Sequence, residues 1–112
     1  MALEGVTDVC LTPHLPARWA EAGPPEAHQR SFEALRPVAL PRPRLHRGAE
    51  VMLDRPLTPP VAIARNVTLG GSRYILVEFP RLVAYDIATS ALAHVVQIGL
   101  VPILAHPERY SC

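Results

Sequence analysis

Apolar runs of strand length, each stopping on a side chain that can bind a metal, constrain this 112-residue chain more than any other feature. Val101-Pro102-Ile103-Leu104-Ala105 reads as a short buried strand, and His106 and the Arg109 guanidinium arrive where it stops. Three earlier runs end alike. Val6 to Leu11 leads into Thr12-Pro13-His14, Arg44 to Arg47 into Gly48-Ala49-Glu50, and Tyr74-Ile75-Leu76-Val77 into Glu78-Phe79-Pro80. Two imidazoles and two carboxylates make a donor set used by divalent-metal sites.

The intervals fit strands joined by crossovers. Glu50 to Glu78 and Glu78 to His106 are each 28 residues, enough for a strand and its returning connection. His14 to Glu50 is 36, which leaves room for a longer excursion. The pattern predicts an α/β fold of about four parallel strands with connecting helices. A parallel βα array puts successive strand ends on one face, where His14, Glu50, Glu78 and His106 could converge. Each of them alone also fits an ordinary solvated or capping role in a loop, and spacing by itself leaves that alternative open.

Between these runs, Pro24 and Pro25 can open a helix over Glu26 to Leu35, with Phe32 and Leu35 on its inner face and Pro37 ending it. Pro37 to Pro43 reads as extended, and Pro56, Pro59 and Pro60 argue against a long helix after Glu50. Gly70-Gly71-Ser72 makes the turn into the Tyr74 strand. The clearest helix runs from Tyr85 to Ile98, with Ile87, Ala91, Val95 and Ile98 in one apolar line and Gly99 closing it. His28, His46 and His94 are expected at the surface. Trp19 reads as a packed or loop-anchoring aromatic, and Cys10, inside an apolar run, as a buried thiol.

Composition narrows the function classes. Hydrophobic residues make up 49% and charged residues 19%, which suits one small globular domain. A net charge of +1 is too small to steer the chain toward nucleic acid or a membrane surface. No apolar run approaches the length of a membrane span, and nothing at the start has the pattern of a secretory leader. Two cysteines without a spacing motif point to a cytoplasmic protein with neither a metal knuckle nor a disulfide. A Cys-x5-Arg phosphatase loop is absent, since the first arginine after Cys10 is Arg18.

Taken together, Thr12-Pro13-His14, Gly48-Ala49-Glu50, Tyr74 to Pro80 and Pro102 to Tyr110 resemble the PHP (polymerase and histidinol phosphatase) superfamily. Within it they are most similar to the bacterial manganese-dependent tyrosine-protein phosphatases of capsular and exopolysaccharide synthesis. The resemblance implies a distorted (β/α) barrel with metal ions in a cleft at the strand C-termini. It implies His14 as a ligand of one ion, Glu50 as a carboxylate bridging two, Glu78 and His106 as ligands of the middle ion, and Arg109 as the phosphate-binding group. Mn²⁺, two or three ions in the complete domain, is the implied cofactor.

The family opens on an Asp-x-His-x-His strand and closes on Asp-x-His, and neither motif occurs here. Met1 to Gly5 reads as the last turn of a helix with a glycine cap. Residues 1–112 are therefore expected to be an incomplete PHP domain, a partial (β/α) barrel with little or no activity alone. The implied reaction is hydrolysis of a phosphate monoester by a metal-activated water. Its implied partner is a phosphotyrosine protein, a bacterial tyrosine kinase of polysaccharide export, with no nucleic acid and no membrane insertion. The alternatives are a histidinol-phosphatase-like phosphoesterase and an inactive fragment serving as a binding or structural module.

Overall fold

The computed structural model of the chain describes residues 5–17, 25–39, 43–54 and 67–111. Their elements in order are β1 (Asp8–Leu11), β2 (His14–Pro16), α1 (Glu26–Ala39), β3 (Arg44–Arg47), β4 (Glu50–Met52), a 3-10 turn (Leu69–Gly71), β5 (Tyr74–Glu78), α2 (Tyr85–Gln97), β6 (Val101–Leu104) and a second 3-10 turn (Pro107–Arg109). All strand pairs are parallel: β1 with β3, and β2-β4-β5-β6 in one four-stranded sheet. The α/β class matches expectation, but the described residues form two open sheets and no closed barrel.

Two of the expected strands end where their runs do, at Leu11 and Arg47, and the chain then resumes each time as a second short strand. β1 stops at Leu11 and resumes as β2 after Thr12-Pro13, and β3 stops at Arg47 and resumes as β4 after Gly48-Ala49. Pro13 has no N–H to give a ladder. Gly48 lies so close to the 3-10 turn that a Cβ there would come within 2.9 Å of Leu69 Cδ2. The two breaks stay aligned because Gly48 N–H donates to Leu11 C=O at 3.0 Å and Glu50 N–H to Pro13 C=O at 2.9 Å. His14 and Glu50 follow the ends of β1 and β3, as expected, and also open β2 and β4.

Alternation along the strands separates core from site. Leu15, Val51, Ile75 and Val77 are fully buried and cluster with Phe79, with Ala88 and Val95 of α2, and with Leu100. Each such side chain contributes about 1.5–3 kcal/mol by leaving water. The residues between them, among them His14, Glu50, Leu76 and Glu78, fall on the opposite face, which leaves that face for chemistry.

α2 ends as its sequence predicts. Gly99 takes φ 96°, Gly99 N–H donates to Val96 C=O at 3.0 Å, and Leu100 N–H donates to Val95 C=O at 3.1 Å. That is a Schellman cap, with Leu100 and Val95 both in the core. The buried stripe differs from expectation by one residue: Ala88 and Val95 face the sheet while Ile87 is 60% exposed. α1 also departs from expectation, since it runs through Pro37 to Ala39. Pro37 sits in the last turn, where Glu33 is exposed and water can satisfy the carbonyl that loses its N–H partner.

Of the expected inner face, Phe32 is half-buried while Leu35 is exposed, and both line a cavity of about 460 Å³ with Leu11, Pro13, His28 and Arg47. The cavity leaves Leu35 48% exposed. Cys10 is exposed, not buried, because Asp8 and Cys10 alternate to the outer side of β1 while Val9 and Leu11 are half-buried. His28, His46 and His94 are each half-buried, not fully at the surface. The expected N-terminal helix turn over residues 1–4, Trp19, the middle of the Pro37 to Pro43 stretch, the Pro56 to Pro60 cluster and Cys112 lie outside the described residues.

Candidate metal centre

His14 and Glu50 are direct partners across β2 and β4. On β5 the partner of Glu50 is Leu76, so Glu78, two residues on, projects from the same face one repeat further along. His106 follows β6 by two residues and has φ 33° and ψ 62°. A left-handed conformation at a residue with a Cβ is uncommon, and here it turns the chain from the strand into the Pro107–Arg109 turn.

These placements gather four side chains. His14 Nδ1 is hydrogen-bonded to Glu78 Oε2 at 2.9 Å and lies 3.2 Å from Glu50 Oε1. His106 Nε2 lies 3.5 Å from Glu50 Oε1 and 3.4 Å from Glu78 Oε1. One donor atom from each of His14, Glu50 and Glu78 falls within 4.8 Å of the others. The Glu78 side chain is 8% exposed and that of His14 79%, so the cluster is closed beneath the sheet face and open on the His14 side.

The electrostatics fit a cation better than they fit an empty cluster. The hydrogen bond to Glu78 holds the His14 imidazole above its usual pKa; burial and the Arg109 charge oppose this, while the Glu50 and Glu78 charges add to it. Burial pushes the Glu78 carboxyl up, yet hydrogen bonding with Glu50 and His14 and the charges of His14 and His106 leave it below its ordinary value. Glu50 Oε1 and both ring nitrogens of His106 are buried without a hydrogen bond. Buried polar atoms normally find partners, so a set of unpaired donor atoms facing one another has the character of a ligand shell. Two imidazoles and two carboxylates are the chemistry of a Mn²⁺- or Zn²⁺-type ion.

Arg109 ends the second 3-10 turn, exposed, and near enough for its charge to act on His14. The structure thus brings together four of the five residues singled out in the sequence, His14, Glu50, Glu78 and His106. The structure adds two features. Tyr110 sits beside His106, with ring centroids 5.9 Å apart. Asp8 is held at about 2, chiefly by its hydrogen bond with His46 at 2.8 Å and then by Thr7, with Arg44 also contributing. The β1–β3 register, which pairs Asp8 with Arg44 and Cys10 with His46, brings that surface cluster together. Recognising it from sequence required knowing which strands pair.

The whole chain, residues 1–112, matches the family model described as capsular polysaccharide synthesis, CpsB/CapC. A stretch of 44 residues, 39% of the chain, is 40% identical to the tyrosine-protein phosphatase CpsB of Streptococcus pneumoniae. That stretch spans 18% of the relative's length.

Proposed function

This chain belongs to the CpsB/CapC family of capsular polysaccharide synthesis, and from that membership we propose that it serves metal-dependent hydrolysis of phosphotyrosine on a protein. The observation that carries the proposal is the meeting of His14, Glu50, Glu78 and His106 around unpaired buried donor atoms on one sheet face. Phosphotyrosine as substrate takes its support from the name of the pneumococcal relative. The substrate protein is proposed to be a tyrosine kinase of polysaccharide export, met in the cytoplasm. None of the described helices is long and apolar enough to cross a membrane.

Each residue has a role in this reading. His14, Glu78 and His106 would hold the ions, and Glu50, whose Oε1 lies 3.2 Å from one imidazole and 3.5 Å from the other, would be the carboxylate shared between them. When bound, a divalent ion such as Mn²⁺ would supply Lewis-acid charge and acidify a water for hydrolysis of the phosphate ester. Arg109, exposed at the open side, orients the phosphate with its planar fork and neutralises charge that grows toward the transition state. The open His14 side admits a protein-borne tyrosyl phosphate. The core-packed floor, Glu78 above all, keeps the donor atoms fixed.

Calorimetric titration of the 112-residue chain with Mn²⁺, followed by phosphate release from a phosphotyrosine peptide and from histidinol phosphate, tests the reading. Mn²⁺ binding, lost in Glu78→Gln, is expected, with little or no phosphate release by residues 1–112 alone and any release dependent on Mn²⁺ and directed to the peptide. Absence of Mn²⁺ binding would remove the metal centre, and preference for histidinol phosphate would replace the substrate class. A folded chain that binds no Mn²⁺ would favour the binding-module alternative.

A further inference from the structure

The β5–β6 ladder has an unusual last rung. Val77 pairs with Leu104, and Ala105 N–H donates to Val77 C=O at 2.8 Å. In a parallel ladder the next bond would run from Phe79 N–H to Ala105 C=O. Here a side chain occupies that place: Phe79 N–H donates to the Tyr110 hydroxyl at 3.1 Å, and the hydroxyl donates to Ala105 C=O at 3.2 Å. The two strands are thus held apart by one hydroxyl group where Glu78 leaves β5 and His106 follows β6.

The ring is fixed as well. It packs edge-on against Phe79, with centroids 6.1 Å apart, and at a tilt against His106 at 5.9 Å. Phe79 is buried, and Tyr110 packs against the core cluster while its hydroxyl reaches the strand ends. One side chain therefore touches the backbone on both sides of the gap and the imidazole that must reach across it.

From this we infer that Tyr110 is a positioning residue: its hydroxyl, inserted as a rung between Phe79 and Ala105, sets the spread of the β5 and β6 ends and so the reach between Glu78 and His106. A plain N–H to C=O rung would draw those ends together, and a missing rung would leave them free to part. In either case two donors that must meet the same ion lose their register. The inference rests on the proposed metal centre for its purpose, though the hydroxyl rung itself can be tested without metal.

Tyr110→Phe keeps the ring contacts and removes only the hydroxyl. Two measurements on the full chain separate the outcomes. Amide hydrogen exchange on metal-free protein should show Phe79 N–H exchanging at least tenfold faster in Tyr110→Phe, with Ala105 N–H, which bonds Val77, unchanged. Calorimetry should show Mn²⁺ binding at least tenfold weaker. Adding Tyr110→Phe to His106→Ala should cost no further affinity, because the hydroxyl acts through the position of His106. Unchanged Phe79 exchange, equal acceleration at both amides, or a full additional loss in the His106→Ala background would each overturn the inference. Wild-type chain that binds no Mn²⁺ would instead overturn the metal centre, and Phe79 exchange would still decide whether the rung exists.

Discussion

Glu50 Oε1 lies 3.2 Å from His14 Nδ1 and 3.5 Å from His106 Nε2, and forms a hydrogen bond with neither. A carboxylate so placed can serve two ions at once, and a carboxamide cannot, because one of its two donor atoms is replaced by an N–H₂ that repels cations. Glu50→Gln is therefore expected to lower the bound-metal stoichiometry by one ion, as metal analysis would record. Two ions retained in the variant would exclude bridging. His14 gives a second residue-scale prediction. Its pKa is raised, so a proton competes with metal at pH values up to that raised value, which is above 6.5. Mn²⁺ affinity is expected to fall as pH drops through this range, by up to about tenfold per unit, and to level off above it. Titrations at pH 6 and pH 8 giving equal affinity would remove His14 from the ligand set. The metal-free pair obeys different limits. The stabilisation from His14 is full below the unfolded value and lost as pH rises through the folded one, whereas that from Glu78 is lost as pH falls through its lowered value. With His14 79% exposed, the pair contributes under about 1 kcal/mol.

The helices carry most of the testable local energetics. Gly99 at φ 96° closes α2, and Gly99→Ala is expected to destabilise the chain by about 1–2 kcal/mol in urea unfolding, since a Cβ opposes the left-handed turn. No neighbour lies within 4 Å of the added Cβ, so a loss would report backbone conformation and not a clash. In α1 the sign reverses. Pro37 is exposed inside the helix, so Pro37→Ala restores an N–H and should stabilise by roughly 1–3 kcal/mol. Legibility followed the same physics. The 3.6-residue period and the terminal glycine locate α2 to within one residue at its end, but Ile87, on the expected apolar line, is exposed because period alone does not fix which flank of an apolar stripe meets the sheet. The apolar run at Tyr74 and its glycine turn located β5. The ends of β1 and β3 were legible, but the short strands β2 and β4 beyond them were not, since they arise where two segments stay in register through a shared bend. The donor residues were legible individually because polar groups end apolar runs. Their distances were not, because they depend on parallel register between segments far apart in the chain.

At the scale of the whole molecule, the centre draws on residues 92 positions apart, His14 and His106, and each comes from a different strand or the turn beyond one. No local segment contains the site, so holding the four donors together requires the intact four-stranded sheet and the core beneath it. An ion that binds only this assembled arrangement must stabilise the sheet as a whole, by an amount that grows with ion concentration over its dissociation constant. At a hundredfold excess over that constant the gain is about 2.7 kcal/mol. For a domain of roughly 100 residues each kcal/mol corresponds to some 4–8 °C in melting temperature, so Mn²⁺ is expected to raise the midpoint by at least about 10 °C. The same addition should leave a Glu50→Gln/Glu78→Gln double variant nearly unmoved, because the charges that attract the ion are gone while the buried core residues are unaltered. Differential scanning calorimetry with and without Mn²⁺ measures both. Equal midpoints in the wild-type chain would mean that the four donors do not act as one site, whereas equal rises in both proteins would mean that the ion binds elsewhere.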